Sequence, residues 1–185
     1  NTWNGVGYIV LDPVTGSAGY MISGGSAGSL TSMRAKASFF EKSIGVIYRT
    51  IVVMYALSKM ETVYDLGCDE GGLDCSGLTY KAYQFVGAKK FPRGVENQYS
   101  YVSQRDGFTT NPLMGDIVFF HATYDSNKDG VVNNDDKSHA GIYLSSGMYI
   151  SAQQSRGTSV YWYKQDFMNG SWAHNHVDAF GIVVP

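Results

Sequence analysis

One cysteine of this 185-residue chain stands in a setting that suits a nucleophile. Cys75 lies between Asp74 and Ser76, with glycines on both sides and an apolar run that begins at Leu78. The pattern predicts a thiol at the N-terminus of a helix, where unpaired N–H groups and the helix dipole favour the thiolate and lower the thiol pKa. The competing interpretation is a small buried hydrophobic residue, which is the commoner fate of an isolated cysteine.

A cysteine nucleophile needs a base, and histidine is the side chain whose ordinary pKa suits that role near neutral pH. His139 opens a predicted strand, where the small residues Ala140 and Gly141 leave room beside its ring. We therefore predict that His139 is the general base, the alternative being an ordinary surface histidine at a strand start. His174 and His176 lie in a loop that the sequence does not place.

The order of the predicted elements, helices first and strands afterwards, indicates an α+β fold. Apolar residues recur at helical spacing over about 32–60, and the run over 44–57 is too short to span a bilayer, so it predicts a buried helix. A second helix is predicted over 78–86. Short strands bounded by turn residues are predicted in the C-terminal half, over 116–120, 140–144, 148–152, 160–163 and 179–184.

Composition limits the class of partner. The 14 basic and 16 acidic residues give a net charge of −2, and no basic stripe with interleaved aromatic residues is present, so nucleic acid is not an expected partner. Cys68 and Cys75 lack a CxxC spacing, so neither a zinc site nor a disulfide framework is predicted and both thiols are expected to be reduced. Nothing in the sequence requires more than a monomer.

The sequence divides into a glycine-rich segment, 1–30, and a single domain, 31–185. The N-terminal segment predicts a small hairpin with its turn over 12–16. It also resembles stretches that precede toxin or enzyme domains in very large bacterial secreted proteins. Because the chain begins at Asn1 without a Met or a cleavage site, we interpret it as a fragment or a processed product.

Four successive motifs carry a resemblance to a known family. They are DCSGL at 74–78, FPR at 91–93 with Gln98, PLMGDIVFF at 112–120 and HAGIYL at 139–144. In order and spacing they resemble the motifs of the NlpC family of papain-like cell-wall cysteine peptidases. The resemblance covers about 60–184 and implies a papain-like core, in which N-terminal helices pack on an antiparallel sheet of five or six strands.

The resemblance also assigns residues that would bind substrate. Tyr64 resembles the tyrosine that lines the family's cleft and helps to stabilise an oxyanion. Asp74 and Ser76 resemble the polar pair that binds a free N-terminal amine of the stem peptide in some members, and Arg93 belongs to the same predicted substrate-binding set. Plain helix capping would explain Asp74 and Ser76 equally well.

The resemblance implies that Cys75 is the nucleophile and His139 the base. At the third catalytic position, the chain differs from the family pattern. The family most often has a histidine twelve residues after the base, where this chain has Ser151. Serine accepts a hydrogen bond but supports an imidazolium less strongly than a charged or aromatic partner. Gln153, on the same strand face, is the other predicted member of the catalytic group, whereas Gln154 would point away on a regular strand.

An insertion over 121–138, just before the predicted base, contains a second pattern. Residues 125–136 place oxygen-bearing side chains at loop positions one, three, five, nine and twelve, glycine at six and an apolar residue at eight, as in an EF-hand calcium loop. The loop ends in aspartate, as dockerin-like loops do. We predict calcium as cofactor, ordering the connection to His139; an acidic surface turn is the alternative. The predicted ligands are Asp125, Asn127, Asp129, Val131, Asn133 and Asp136.

By resemblance, the chain is a cysteine endopeptidase that hydrolyses amide bonds of peptidoglycan stem peptides. We expect a secreted or periplasmic protein, acting in wall remodelling or as an antibacterial effector delivered to a rival's periplasm, with an immunity protein as partner in the second case. Two alternatives stay open. One is a papain-like amidase or acyltransferase on a substrate outside the wall, and the other is a catalytically silent, calcium-dependent binding module.

Overall fold

The computed structural model describes residues 7–11, 18–22, 30–67, 71–162 and 176–184. The chain divides into two compact units, Asn1–Ile47 and Tyr48–Val184. In the first, β1 (Gly7–Leu11) pairs antiparallel with β2 (Ala18–Ile22), as the predicted hairpin requires, while its turn lies outside the described residues. The first helix begins at Leu30, and the predicted domain boundary after residue 30 stays a prediction.

In the first helix, α1 (Leu30–Leu57), the apolar side chains described from Ile44 onward divide between a buried face and an exposed face. Val52, Val53 and Ala56 belong to the core, whereas Met54 is 62% exposed and Leu57 is 43% exposed. The prediction of a buried helix over 44–57 is therefore correct for one face only, because the core covers only one side of a 3.6-residue repeat. Among the described helices, none is long and apolar enough to cross a membrane.

Two shorter helices follow, α2 (Cys75–Phe85) and α3 (Val95–Ser103). The predicted second helix begins three residues earlier than the apolar run suggested, because Asp74 caps it. The sequence analysis missed α3, which is polar and short and buries only Val95, Gln98 and Val102. So small a buried stripe gives little helical signal in the sequence.

Six antiparallel strands form one sheet in the order β3-β8-β4-β5-β6-β7. This arrangement confirms the predicted α+β class and the antiparallel sheet of five or six strands. The strand missing from the sequence prediction is β3, whose two residues pair only with β8. The strands are β3 (Phe108–Thr109), β4 (Ile117–His121), β5 (Lys137–Ser145), β6 (Met148–Gln153), β7 (Gly157–Trp162) and β8 (Val177–Gly181).

The central strand β4 is buried on both faces. Ile117 and Phe119 join the main core, which also holds buried residues of all three helices, while Val118 and Phe120 join a smaller cluster. Each of these four side chains is fully buried. Alternate residues of a strand point to opposite faces, so a strand that is buried on both faces has an uninterrupted apolar sequence. Such a sequence is more typical of parallel sheets, although this sheet is antiparallel.

The turn before β4 is held against two helices. Asp116 forms a buried ion pair with Arg49 of α1 and accepts a hydrogen bond from the Leu113 N–H at 2.7 Å. The Tyr83 hydroxyl of α2 donates to the Gly115 carbonyl at 2.9 Å. Gly115 has a φ of +90°, and a Cβ there would lie 2.9 Å from backbone atoms of Arg49.

We expect Gly115→Ala to destabilise the fold by about 3 kcal/mol or more, because it combines a left-handed backbone with an overlap that backbone atoms cannot relieve. Gly87→Ala is the matched control. Gly87 has nearly the same φ, +91°, but nothing within 4 Å of its added Cβ, so it should lose only about 1–2 kcal/mol. Urea unfolding of both variants measures the difference, and equal losses would contradict the packing constraint.

Candidate active site

Cys75 is the first residue of α2, as the sequence predicts. Asp74 is the N-cap residue, and its carboxylate accepts a hydrogen bond from the Gly77 N–H at 2.6 Å. This contact satisfies one of the N–H groups that a helix start leaves without a partner. Cys75 is only 7% exposed, so the thiol sits at a helix start and at the edge of the core at once.

Burial, followed by the charge of the nearby Asp74 carboxylate, raises the pKa of the Cys75 thiol to about 12. Hydrogen bonds from the backbone of Ala140 and Ser76, and the charge of Arg93, act in the opposite direction but are weaker. The prediction of a lowered thiol pKa is therefore wrong for the resting site, because the cost of charging a buried sulfur exceeds the benefit of the helix start. The resting thiol is protonated at neutral pH.

The Asp74 carboxylate also joins segments on either side of the nucleophile. Besides Gly77, it accepts hydrogen bonds from the Gly67 N–H at 2.8 Å and from the Ser76 hydroxyl at 3.0 Å. Arg93 donates to both of its oxygens, at 2.7 and 3.3 Å, and to the Ser76 oxygen at 2.6 Å. Burial raises the pKa of Asp74, but these bonds and the charge of Arg93 hold it below its ordinary value.

Helix capping is thus present at Asp74, and the side chains of Asp74, Ser76 and Arg93 contact one another. The carboxylate charge is balanced by a guanidinium. Recognition of a substrate amine by these residues stays a prediction.

His139 and Ser151 meet on adjacent strands, β5 and β6. The imidazole Nε2 lies 3.1 Å from the Ser151 hydroxyl oxygen, and that hydroxyl donates to the Ala140 carbonyl at 2.6 Å. Because its own proton is used, the Ser151 oxygen accepts from Nε2–H, and Nδ1 remains the basic nitrogen. Gly141 permits this close packing, since a Cβ there would lie 2.6 Å from the Tyr149 ring.

Burial lowers the pKa of His139 to about 4, against the opposing charge of Asp74. The residue is 8% exposed and is neutral at neutral pH. A neutral imidazole with a basic nitrogen accepts a proton, whereas an imidazolium cannot. The resting site therefore combines a protonated thiol with a neutral base.

Cys75 and His139 line one cavity of 470 Å³. Tyr64 lines it too, placed by a parallel bridge to Leu73 just before the helix cap. Burial, followed by the nearness of Cys75 and Asp74, raises the pKa of Tyr64 to about 12, so the phenol keeps its proton and can donate a hydrogen bond. The cavity thus brings together the predicted nucleophile, the predicted base and the predicted oxyanion donor.

The two glutamines after Ser151 are placed differently from each other. The Gln153 amide nitrogen donates to the Tyr149 hydroxyl at 3.0 Å, while Ser151 makes the bond to the imidazole. Both Gln153 and Gln154 line the cavity. The expectation that Gln154 points away assumed a regular strand, and this condition is not met because β6 ends at Gln153.

Three residues that have no role in the sequence-based predictions complete this part of the structure. Thr123 and Tyr124, from the insertion, line the cavity. Gln98 is fully buried and binds the helix start, donating to the Ser76 carbonyl at 3.0 Å and accepting from the Thr79 hydroxyl at 2.8 Å. The motif with Arg93 could have identified Gln98, whereas no local signal marks the other two.

The first half of the predicted calcium loop is turned around its own side chains. Asp125 accepts hydrogen bonds from the N–H groups of Asp129 and Gly130, at 3.2 and 3.0 Å. Asn127 accepts from the Asp129 N–H at 2.9 Å, and Asp129 accepts from the Val131 N–H at 2.8 Å. Three predicted ligand side chains are therefore close neighbours.

The last predicted ligand closes the loop. Asp136 is fully buried and accepts hydrogen bonds from the N–H groups of Ser126, Asn127 and Asn133, at 2.8, 3.2 and 2.9 Å. Within the part of the chain that the structure describes, no group of three or more His, Cys, Asp or Glu residues is arranged to hold a metal ion. The predicted ligand set of the loop also includes Asn side chains and a backbone carbonyl, which calcium accepts as ligands, and calcium binding stays a prediction.

The remaining histidine candidates separate into two groups. His176 lies beside the end of β4, its Nδ1 2.9 Å from the His121 carbonyl oxygen, and it does not line the cavity of Cys75. His174 lies outside the described residues.

Comparison with curated proteins finds two relatives that match about half of the chain. The gamma-DL-glutamyl hydrolase of Bacillus subtilis is 32% identical over 96 residues, which are 52% of this chain and 21% of the relative. The probable endopeptidase YafL of Escherichia coli is 29% identical over 87 residues, 47% of this chain and 31% of the relative. The chain therefore aligns with less than a third of each relative's length.

Solved structures share the fold. An NLP/P60 family lipoprotein-like protein from Staphylococcus aureus superposes with a TM-score of 0.55 at 22% identity, over 75% of this chain and 42% of that one. The NlpC/p60 domain of the peptidoglycan hydrolase SagA gives 0.54 at 21% identity, over 72% and 97%. A profile of the NlpC/P60 family matches residues 61–177, which include Cys75, His139 and Ser151. On this match, the chain belongs to the NlpC/P60 family.

Proposed function

We propose that the chain is a cysteine endopeptidase that hydrolyses amide bonds of peptidoglycan stem peptides. The observation that carries the proposal is the cavity that is lined by the helix-start thiol of Cys75, the neutral imidazole of His139 and the protonated phenol of Tyr64. The names of the relatives, a glutamyl hydrolase and a probable endopeptidase, and the peptidoglycan hydrolase among the structural neighbours support this substrate class.

The reaction begins with a proton transfer that accompanies attack. Cys75 sulfur adds to the scissile carbonyl carbon while its proton moves to Nδ1 of His139, because neither group is charged in the resting site. The imidazolium then protonates the amide nitrogen as the C–N bond breaks, leaving a thioester. Water, deprotonated by the same imidazole, hydrolyses the thioester and returns the thiol.

The negative charge on the carbonyl oxygen needs donors that are fixed before the reaction. The helix start at Cys75 offers backbone N–H groups, and the protonated Tyr64 hydroxyl offers a side-chain donor. Ser151 positions the imidazole through its contact with Nε2. It is neutral and supports the imidazolium less strongly than a carboxylate does, so its role is orientation of the ring.

The remaining substrate-binding assignments follow the same proposal. Asp74, Ser76 and Arg93 form a buried charged group next to the nucleophile and supply hydrogen-bonding capacity for a polar end of the stem peptide. Peptidoglycan lies outside the cytoplasmic membrane, so this activity requires a secreted or periplasmic location. Service as an antibacterial effector with an immunity partner is one use of the same activity.

We further propose that the 125–136 loop binds calcium. Its support is the position of each oxygen ligand in the sequence, together with the turn that brings the side chains of Asp125, Asn127 and Asp129 together. The ion would be held by these side chains with the Val131 carbonyl, Asn133 and Asp136 as further ligands.

Digestion of purified peptidoglycan tests the peptidase proposal. Wild-type protein should release new peptide fragments, and Cys75→Ala should release none, because no other group replaces the nucleophile. Cys68→Ala is the control and should retain activity. Mass analysis identifies the cleaved bond. Absence of fragments from wild type, with calcium present, would contradict the proposal and favour an acyltransferase or a silent binding module.

Ser151→Ala should lower kcat about tenfold to hundredfold and leave KM within a few fold, because it releases the ring without removing a substrate contact.

The neutral imidazole is the active form, so kcat/KM should be lost as pH falls through about 4, the pKa that burial gives His139. The acid limb should stay near pH 4 in the variant. Initial rates measured at a series of pH values between about 3 and 8 give the change in kcat and the position of the acid limb. An unchanged kcat would contradict the positioning role.

Calcium should raise the Tm of the protein by roughly 5 °C at saturating concentration, because it binds only the folded loop. Asp129→Asn should abolish most of this shift, since it removes one ligand charge while the amide still accepts from the Val131 N–H. Asp135→Asn removes an equal charge at a position outside the ligand set and should keep the shift. The Tm of each protein is measured by thermal unfolding with calcium, with magnesium and with a chelator. Equal calcium-induced Tm shifts in the two variants would refute the site.

A further inference from the structure

One wall of the cavity at Cys75 is built by a segment that lies outside the four sequence motifs. Thr123 and Tyr124 follow β4 at the start of the 121–138 insertion, and both line the cavity. Tyr124 is 51% exposed, so much of its side chain is available to a molecule in the cavity. A large aromatic side chain with a polar tip, half exposed beside a nucleophile, is suited to contact a ligand.

The backbone before Tyr124 is clamped to the strand that carries the base. Ala122, with a φ of +53°, turns the chain out of β4, and its N–H donates to the Asp136 carbonyl at 3.0 Å. The N–H and hydroxyl of Thr123 both donate to the Ser138 oxygen, at 2.9 and 2.6 Å. Ser138 is fully buried, so these bonds fix the entry to the insertion next to His139.

The backbone after Tyr124 is held as well. The Ser126 N–H donates to the Asp136 carboxylate at 2.8 Å, and the Ser126 hydroxyl donates to Glu96 of α3 at 3.3 Å. Tyr124 therefore lies between two anchored residues. A side chain on a backbone that is already ordered costs less entropy to immobilise when a ligand binds.

Tyr124 lines the same cavity as Cys75 and His139. Its phenol brings a hydrogen-bond donor to that cavity, and oxygen atoms of a peptide are the acceptors that a stem peptide offers.

We propose that Tyr124 is a substrate-binding residue that selects the peptide segment beside the scissile amide. Its hydroxyl donates to a carbonyl or carboxylate oxygen of the stem peptide, and its ring covers the aliphatic part of a neighbouring substrate side chain. The assignment rests on the proposed peptidase function. It adds a specificity determinant that comes from the insertion and takes no part in the proton transfers of Cys75 and His139.

Steady-state kinetics on a purified stem peptide tests the assignment. Tyr124→Ala should raise KM roughly tenfold or more with a smaller change in kcat, and Tyr124→Phe, which keeps the ring, should raise it a few fold. Phe85→Ala is the control, because Phe85 is an exposed aromatic residue at the end of α2 that does not line the cavity, and it should stay within about twofold of wild type. Unchanged KM in Tyr124→Ala overturns the assignment.

Peptide binding to the inactive Cys75→Ala protein separates this assignment from the reaction. Calorimetry should show that adding Tyr124→Ala weakens binding by roughly the same factor as KM. If wild type fails to cleave but Cys75→Ala binds the peptide through Tyr124, the assignment stands and the peptidase proposal fails. If wild type cleaves and binding is independent of Tyr124, only the assignment fails. If the peptide is neither cleaved nor bound, both fail.

Discussion

The carboxylate of Asp74 is the contact on which the geometry of the site depends. It caps α2 through Gly77, holds the approach to the nucleophile through Gly67 and draws in Arg93 from the segment before α3. Segments before, at and after the start of α2 therefore meet at one charged group. A buried carboxylate is costly unless its lone pairs are used, and here each oxygen accepts at least two hydrogen bonds.

The burial that makes this arrangement rigid also sets the protonation state of the catalytic pair. Lowering the pKa of His139 from 6.5 to about 4 corresponds to roughly 3 kcal/mol against the imidazolium. This free-energy cost applies only to the charged form of the ring. In the proposed reaction, the imidazolium forms only when an oxyanion develops beside it. Attraction between the two charges, absent in the ground state, then stabilises the transition state selectively. A neutral Ser151 suits such a site, since it orients the ring without charging it at rest.

The sequence predicts the parts of the structure that local patterns encode. The helix start at Cys75 and the strand of His139 follow from local sequence patterns, and the resemblance to the family implies Ser151 as the partner of His139. The misses have a common cause, which is that they depend on contacts between distant segments. The direction of the Cys75 pKa depends on how deeply the helix start is buried, and the exposed face of α1 depends on what covers it. The cavity position of Tyr124 is set by hydrogen bonds that its own neighbours make to Asp136 and Ser138.

The same contacts decide what the insertion can influence. From the sequence, calcium is expected to order the connection to His139. In the structure, β5 is paired with a strand on each side, His139 lies opposite Phe120, and the carbonyl of the neighbouring Ala140 accepts a hydrogen bond from Ser151. The sheet therefore positions the base whether or not the loop is ordered. Thr123 and Tyr124 have no strand partner and depend on the loop's own closing bonds to Asp136 and Ser138. Ordering of the loop should accordingly act on the wall that receives substrate, and so on KM, more than on the proton transfers that determine kcat.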